Sequence, residues 1–301
     1  MTTADESSFV DVVPARNTIW SGVKRFARRN ILGTVGALIV IIMILMAVFA
    51  DVITVYDPTL NDFGVMLEAP TAEHWLGTDQ YGRDLLTRII YGARTALLVG
   101  FVSALVGATV GLVLGVASAY FGGLFDLILQ RVMDVLMAFP LIILALAVVS
   151  IGKALPISDT YKVILAITIP FIPRCARVVR ASALAIREIP YVDAARACGF
   201  GHTRIILRHM VPNVMAPYLI ILTASVGQAI LIEASLSYLG LGVQEPTPAW
   251  GLMLSGGAEE YAESAPWVAI FPGLAITLAV FGFNLFGDSV RDALDPKLRS
   301  L

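Results

Sequence analysis

The side chains with the clearest chemical potential in this sequence are polar groups that interrupt long apolar runs. Glu233 and Gln228 lie in the apolar stretch from about 214 to 240. A charged side chain near the middle of a bilayer costs about 2.5 kcal/mol or more, so such residues usually face a partner or a water-filled cavity. We treat both residues as pathway or gating candidates. For Glu233 a second interpretation stays open, in which it reaches the water beside the outer leaflet.

Three arginines follow two prolines near the end of another apolar run. Pro170 and Pro173 are expected to loosen or kink a helix, because proline lacks the amide hydrogen that a helix interior needs. Arg174, Arg177 and Arg180 then recur every third position and drift slowly around the helix axis. Such a stripe either extends to lipid phosphates or contacts the cytoplasmic mouth of a pathway. Arg174 and Arg177 are therefore further pathway candidates.

Enzyme motifs are missing from the sequence. There is no H-E-x-x-H and no G-x-S-x-G, so a protease or hydrolase would lack its parts. The tetrapeptide 254–257, Leu-Ser-Gly-Gly, is similar to the signature of ABC ATPases. A phosphate loop of the form G-x-x-x-x-G-K-[ST] is nevertheless absent, because Gly152-Lys153 is followed by Ala154. We expect no catalytic residues and no bound ATP or Mg²⁺ in this chain.

The cysteines and histidines do not form a metal-site pattern. Cys175 and Cys198 lack paired spacing, which argues against a disulfide or a structural zinc site. His202 and His209 are two helical turns apart and could share a face near Cys198, whereas His74 lies far away in the sequence. We expect ordinary helix residues here, and no metal.

The composition indicates the membrane class that must position these residues. Of the 301 residues 57% are apolar and only 15% are charged. A helix needs about 20 apolar residues to cross about 30 Å of hydrocarbon. The first run is longer than the apolar part of a usual signal peptide, so we expect a retained anchor. The predicted fold class is an all-α membrane protein with six transmembrane helices, at residues 31–50, 95–120, 135–151, 158–178, 214–240 and 266–287.

The distribution of basic residues predicts the orientation. Most of the 21 lysines and arginines fall in the two tails, near Arg131 and between Arg174 and Arg208. The positive-inside rule then places both termini in the cytoplasm. Because the basic residues lie where topology would place them, no nucleic-acid partner is expected. The predicted organisation is a cytoplasmic tail (1–30), the first span (31–50), an extracytoplasmic segment (51–94), a five-helix core (95–288) and a second cytoplasmic tail (289–301).

Two further helical patterns flank the second span. From Arg83 onward, Leu85, Leu86, Ile89 and Ile90 recur at helical spacing, which predicts an interfacial helix that leads into the span. Within the span, a stripe of small residues allows a neighbouring backbone to approach closely, and we interpret it as a packing feature. Its members are Ser103, Gly107, Gly111, Gly115 and Ala119.

The loop between the fourth and fifth spans, at about 182–212, carries strong helix signals. Pro190 suits the first helical turn, Asp193 places negative charge near the positive helix end, and Gly199 suits a left-handed cap. The short helix should present a nearly side-chain-free surface, formed by Ala194, Ala195, Ala197 and Cys198. A second helix from about 204 to 208 is expected to lie along the membrane face and to stop before Pro212.

Three stretches of the sequence resemble one family. The order Asp193-Ala-Ala, Gly199 and Val211-Pro212 resembles the EAA loop of ABC-importer permeases, although Asp replaces the usual Glu, Val takes a Leu place and His209 an apolar one. Residues 74–84 resemble the H-x-L-G-T-D-x-x-G-R-D segment of dipeptide, oligopeptide and nickel permeases. Residues 233–251 also resemble that family, with Glu245 where proline is common, a departure expected to affect only the loop.

The resemblance implies a type I ABC importer permease fold in the cytoplasmic (inner) membrane of a bacterium or archaeon. The implied partners are a second homologous permease, two ATPase subunits that bind ATP and Mg²⁺, an extracytoplasmic substrate-binding protein and the lipid bilayer. Di- or oligopeptides are the implied cargo, with nickel chelates, glutathione, opines and oligosaccharides open as alternatives. The residues expected to couple to the ATPase are Pro190, Asp193, Ala194, Ala195, Gly199 and Pro212.

A secondary transporter or channel is the alternative class. Such proteins commonly place several charges at the membrane midplane and contain inverted repeats, whereas this sequence shows one such charge, Glu233, and no clear repeat. Transport by the lone chain without ATP would favour this alternative.

Overall fold

The computed structural model describes residues 30–154, 156–257 and 260–294, so residues 1–29 of the first predicted tail and 295–301 of the second lie outside the described residues. Helices dominate the described part, with a 3₁₀ turn at Phe63–Val65 and one isolated β-bridge between Thr78 and Asp84. In chain order the helices are α1 (Ile31–Ile53), α2 (Leu85–Phe121), α3 (Gly123–Met137), α4 (Leu141–Gly152), α5 (Asp159–Arg187), α6 (Pro190–Ala197), α7 (His202–Ile205), α8 (Val211–Tyr238), α9 (Trp250–Gly257) and α10 (Trp267–Leu294).

Four continuous helices in the described residues are long and apolar enough to cross a membrane. A bent pair, α3 with α4, raises the number to five if it forms one span. The predicted fourth span lies on α5, which is not among these four because it carries too many charged residues for a typical span. The four are Ile31–Ile53, Leu85–Phe121, His202–Tyr238 and Trp267–Leu294. The third of these combines α7 and α8 with the π-helical turn between them.

The predicted third span is wrong as a single straight helix. Residues 135–151 belong to two helices, α3 and α4, which meet at an angle of 96°. The bend falls at Pro140, whose ring disfavours helical backbone in the preceding residue. Pro140 itself has φ −55° and ψ 136°, outside the helical region. With 12 residues, α4 is about 18 Å long and too short to cross the hydrocarbon alone.

The predicted interfacial helix is also wrong as a separate element, because α2 runs without a break for 37 residues. Its first turns are enclosed by protein on both the apolar and the polar side: Leu85 and Arg88 are both 0% exposed. At 1.5 Å per residue α2 is about 55 Å long, so it extends well beyond about 30 Å of hydrocarbon.

The stripe of small residues lies where α2 crosses α5. A Cβ added at Gly111 would come within 2.6 Å of the Cys175 Cβ, and one added at Gly115 within 2.6 Å of the Ala176 carbonyl oxygen. Ser103 donates a hydrogen bond to the Ile164 carbonyl at 3.3 Å. Small side chains therefore allow the two backbones to touch, which makes this pair the centre of the fold.

The first helix packs on the last through two glycines. A Cβ on Gly36 would come within 2.6 Å of the Phe286 amide nitrogen, and a Cβ on Gly282 within 2.6 Å of the Ile39 Cγ2. Most of the remaining surface of α1 consists of exposed apolar side chains, including Leu45 and Val52. This surface suits contact with lipid.

Candidate functional site

The short helix α6 begins and ends where its sequence predicts. Pro190 occupies the first turn, where its missing amide hydrogen has no intrahelical partner to lose. Gly199 has φ +76°, the left-handed conformation that favours glycine. The Phe200 amide donates to the Ala195 carbonyl at 3.1 Å, and the Gly199 amide donates to the Arg196 carbonyl at 2.9 Å. These bonds satisfy carbonyls that the end of a helix leaves open.

The surface of α6 differs from the predicted one in a single residue. Ala194, Ala197 and Cys198 are exposed, but Ala195 is only 6% exposed. Ala195 packs inward with Val192 in a core cluster that also includes residues of α2, α5 and α8. The prediction that Ala195 belongs to the outer surface is therefore wrong: in an eight-residue helix packed against the protein, one side must face inward.

The two charged side chains of α6 lie on its outer side. Asp193 is exposed and accepts a hydrogen bond from Arg196 at 3.1 Å. This pair links positions three apart on one helix, where side chains are neighbours. The outer side of α6 therefore combines small side chains with one exposed ion pair. Such a surface is low enough to enter a groove on another protein.

The segment after Gly199 forms one long rod rather than a helix along the membrane face. A π-helical turn, Ile206–Met210, joins α7 to α8, and the span-length helix runs from His202 to Tyr238. The predicted stop before Pro212 is wrong. The wider π turn lies immediately before the proline, at the place where the proline ring would crowd the previous turn of a regular helix.

Side-chain hydrogen bonds attach α6 to this rod. The Tyr191 hydroxyl donates to the His209 carbonyl at 3.1 Å, and Asn213 Nδ2 donates to the Tyr191 oxygen at 3.0 Å. Asn213 also donates to the His209 carbonyl at 2.7 Å. The His209 ring, at a position where the resemblance expects an apolar residue, stacks on Phe200 with a centroid distance of 6.2 Å. Tyr191 and Asn213 are not among the residues predicted from the sequence.

The same loop is attached to the ends of two other helices. Arg187, the last residue of α5, donates to the Ala119 carbonyl at 2.8 Å, near the end of α2. The Tyr120 hydroxyl lies 2.7 Å from His202 Nδ1, at the start of the rod. A displacement of α6 would therefore act on α2, α5 and α8 together.

Among the pathway candidates, Arg174 and Gln228 are brought together. Arg174 Nη1 donates to Gln228 Oε1 at 2.8 Å and joins α5 to α8. Arg174 is exposed and Gln228 is half-buried. A guanidinium among apolar side chains requires a polar neighbour, because hydrocarbon offers no hydrogen-bond acceptors.

The rest of the arginine stripe is paired with α3. Arg177 Nη2 donates to Asp134 Oδ1 at 2.6 Å. Arg180 forms a bidentate pair with Asp126, with contacts of 2.6 and 2.5 Å. Binding to lipid phosphates is therefore not required to satisfy these two side chains. Sequence spacing did not identify the two aspartates, because they lie on another helix.

Glu233 is enclosed in this structure. The residue is 1% exposed, and its Oε1 accepts a hydrogen bond from the Ser237 hydroxyl at 2.7 Å, one turn later in α8. The interpretation that Glu233 reaches water beside the outer leaflet is wrong for this conformation. A pathway or gating role stays a prediction, and it requires a conformation that opens this part of α8.

The segment before α2, which carries the H-x-L-G-T-D-x-x-G-R-D pattern, forms a dense polar cluster. His74 Nδ1 lies 3.0 Å from Asp84 Oδ1. Asp84 Oδ2 accepts the Thr87 amide at 2.8 Å and thereby caps α2. Arg83 Nε donates to Asp79 Oδ2 at 2.7 Å. The residues that carry this resemblance are therefore buried structural partners.

Glu245 belongs to the same cluster, so the expectation that it affects only its loop is wrong. Arg83 donates to both carboxylate oxygens of Glu245, at 2.7 and 3.2 Å, and Arg88 Nη2 lies 3.4 Å from them. Burial by itself lowers the pKa of Arg83, but the hydrogen bond to Glu245 and the charge of Asp79 outweigh it and raise that pKa.

Within the part of the chain that the structure describes, no group of three or more histidine, cysteine, aspartate or glutamate side chains is placed to hold a metal ion. His202 is hydrogen-bonded to the Tyr120 hydroxyl, and Cys198 is exposed at the end of α6. The site is therefore a set of packing and hydrogen-bonding contacts between helices.

Comparisons with known proteins agree with this architecture. Residues 85–300 match the model of the binding-protein-dependent transport system inner membrane component family. Residues 18–70 match the N-terminal TM domain of oligopeptide transport permease C. The MetNI methionine ABC transporter, solved in inward-facing conformations, aligns with a TM-score of 0.55 and 19% identity, covering 70% of this chain and 98% of that chain. The last match shows a shared fold.

Curated relatives are similar over nearly their whole length. The dipeptide transport system permease protein DppC of Alkalihalophilus pseudofirmus is 42% identical, covering 93% of this chain and 91% of the relative. The glutathione transport system permease protein GsiD of Pectobacterium atrosepticum is 41% identical, covering 92% and 90%. The family match and these identities lead to one conclusion: the chain belongs to the inner membrane components of binding-protein-dependent transport systems, as a DppC/OppC-like ABC permease.

Proposed function

We propose that this chain is the membrane subunit of an ATP-driven importer of di- or oligopeptides. The observation that carries the proposal is the geometry of α6. One side of α6 presents small, exposed side chains, and the other side is attached to α8 by hydrogen bonds of Tyr191 and Asn213. Such a helix can receive a force from a separate motor protein and pass it to the membrane helices.

The proposed topology has six spans with both termini in the cytoplasm. The basic segments at 174–208 and in the tails support this orientation. We count α5 as a span despite its charges, because Arg177 and Arg180 are neutralised by aspartates of α3. We count α3 with α4 as one broken span, since broken helices are tolerated at membrane depth where protein covers them.

The proposed assembly contains a second, homologous permease, two ATPase subunits and an extracytoplasmic substrate-binding protein. ATP and Mg²⁺ would bind the ATPase subunits, since this sequence contains no phosphate loop. The complex would reside in the cytoplasmic membrane of a bacterium or archaeon. Coupling would run through Pro190, Asp193, Ala194, Ala195, Gly199 and Pro212, with Ala195 acting from the inner side of α6.

Transport would follow from alternating access. Closure of the ATPase pair moves α6, and the rod and α5 then change their tilt so that the pathway opens on the other side. Arg174 and Gln228 join these two helices at membrane depth, so their hydrogen bond would break or shift as the helices move. Arg177, which pairs with α3, and the enclosed Glu233 would become accessible in the same step.

Glutathione is the second candidate cargo. A glutathione permease relative is 41% identical, nearly the same as the dipeptide relative. Glutathione is itself a small peptide, so the same pathway chemistry would serve either cargo. The soluble binding protein is expected to distinguish them.

The test is uptake by the reconstituted complex in liposomes. We expect ATP-dependent accumulation of radiolabelled di- or oligopeptides that requires the binding protein and both ATPases. Glutathione uptake that exceeds peptide uptake would replace the cargo assignment. Accumulation by the lone chain in an ion gradient without ATP would overturn the importer assignment in favour of a secondary transporter.

A further inference from the structure

A cleft opens between the Ile53 end of α1 and the start of α2. Its volume is about 410 Å³, within the range of about 300–1,000 Å³ that is typical of small-molecule sites. The coupling mechanism proposed above does not use it. Its lining residues include Ile53, Tyr56, Glu73, Trp75, Leu86 and Ile90.

The cleft lies at the level of a membrane interface. With 23 residues α1 is about 34 Å long, so its two ends lie near the two faces of about 30 Å of hydrocarbon. Val52, next to the cleft, is 82% exposed, and Ile53 is 52% exposed. Exposed apolar side chains of α1 therefore reach the edge of the cleft.

Two aromatic residues at the cleft have the character of an interface belt. Trp75 is 70% exposed, and its indole nitrogen donates to the Ala72 carbonyl at 3.1 Å. Tyr56 is 40% exposed, and its hydroxyl donates to the Glu73 carbonyl at 3.1 Å. Each ring thus has its polar atom satisfied by protein and its apolar body available. Tryptophan and tyrosine are enriched where acyl chains meet headgroups.

The charge of the cleft selects among lipids. Glu73 and Asp84 line it, and no lysine or arginine is among the lining residues that the structure describes. Asp84 is committed to His74 and to the Thr87 amide, whereas the Glu73 side chain is exposed at the cleft. A carboxylate without a basic neighbour in the lining attracts an ammonium group and repels an anionic headgroup.

We propose that this cleft is a lipid site that holds an acyl chain of phosphatidylethanolamine, with the ammonium group beside Glu73. The acyl chain contacts Ile53, Leu86 and Ile90, and the ring of Trp75 packs at the level of the ester groups. The lipid thereby fills the gap between α1 and the polar cluster that begins α2. Under the proposed topology the cleft faces the outer leaflet, and only this assignment rests on that topology.

Tryptophan quenching tests the site in the assembled transporter in nanodiscs. Emission is compared between the unaltered chain and Trp75→Phe, so that the difference isolates Trp75. Chain-brominated phosphatidylethanolamine is expected to quench that difference, and brominated phosphatidylglycerol is expected to need about a fivefold higher mole fraction for the same effect. Glu73→Gln is expected to remove the preference, and Leu86→Phe to reduce quenching by narrowing the cleft. Leu45→Phe, on the outward surface of α1, is the matched control and is expected to change nothing.

Equal quenching by the two lipids, or unchanged quenching in Leu86→Phe, would overturn the proposal. A photo-crosslink from position 75 to another subunit would show a protein occupant and would overturn it as well. Thermal unfolding checks that the variants are folded. Peptide uptake is measured separately in the same preparations. In the unaltered chain, a lack of lipid selectivity with normal peptide uptake refutes the lipid site alone, and lipid selectivity without peptide uptake refutes the cargo alone.

Discussion

Arg83 and Glu245 form a bidentate ion pair, with contacts of 2.7 and 3.2 Å, although 162 positions separate them in the chain. Arg83 also forms an ion pair with Asp79, and Arg88 lies within ion-pair distance of the Asp79 and Glu245 carboxylates. The pair fixes the loop between α8 and α9 against the segment that precedes α2. This end of the fold therefore depends on a charge network that connects both halves of the chain.

The first prediction is that Glu245→Gln destabilises the protein by about 1–3 kcal/mol, because it leaves buried arginine charge undercompensated. The expected loss of stability is moderate, because the Glu245 side chain is 38% exposed and water screens part of its interaction with the arginines. Thermal unfolding of the detergent-solubilised chain measures the effect. Glu263→Gln, at an exposed position on the same side, is the control and should melt like the unaltered chain. Equal melting of both variants would show that the pair contributes nothing.

The second prediction concerns the turn that ends α6. Gly199→Val should abolish ATP-coupled uptake while the protein still inserts, because φ +76° is costly for a β-branched residue, by about 1–2 kcal/mol or more. Gly201→Val is the matched control, because both glycines have open space around them but Gly201 has φ −64°. Uptake by the reconstituted complex decides between them. Normal uptake by Gly199→Val would refute our account of the turn.

The third prediction concerns the attachment of α6 to the rod. Tyr191→Phe removes the hydroxyl that bonds α6 to Asn213 and to the His209 carbonyl, both on the rod. One such hydrogen bond contributes about 0.5–1.5 kcal/mol, so uptake should fall by about two- to tenfold while ATP hydrolysis continues. The ratio of peptide transported to ATP hydrolysed is the measurement. Tyr161→Phe, at an exposed tyrosine of α5, is the control. An unchanged ratio in Tyr191→Phe would indicate that backbone packing alone transmits the motion.

The fourth prediction concerns the contact between α2 and α5. Gly111→Ala should destabilise the chain by about 1–3 kcal/mol, because its Cβ would meet the Cys175 Cβ at 2.6 Å. Gly273→Ala, in a helix position with open space, should instead be neutral or stabilising by up to about 1 kcal/mol. In thermal unfolding, the melting temperature of Gly111→Ala should lie below that of the unaltered chain, and the melting temperature of Gly273→Ala should be equal to it or higher. Similar melting temperatures would show that the helices can separate slightly at no cost.

Several features could be predicted from the sequence because their causes are local. The apolar runs indicated a helical membrane protein, because a helix must be about 20 apolar residues long to cross the hydrocarbon, and the length of an apolar run can be read directly from the sequence. Pro190 and Gly199 indicated where α6 begins and ends, because backbone sterics at each residue decide those points. The spacing of Gly107, Gly111 and Gly115 predicted a face for close packing.

Other features depended on contacts that sequence spacing does not encode. The inward position of Ala195 depends on where α6 rests on the protein, and the continuity of the rod through Pro212 depends on a π turn. Gln228 became the partner of Arg174 only because α5 and α8 lie side by side.

Helix propensity, capping and hydrophobic length act over a few neighbouring residues, so the sequence was sufficient to predict a helical membrane protein, the approximate position of most helices and the two ends of α6. The pairing of the charges, the enclosure of Glu233 and the contact of Glu245 with Arg83 became known from the folded chain. A buried charge is stabilised by whichever groups the fold brings within hydrogen-bonding distance, and these can lie anywhere in the chain.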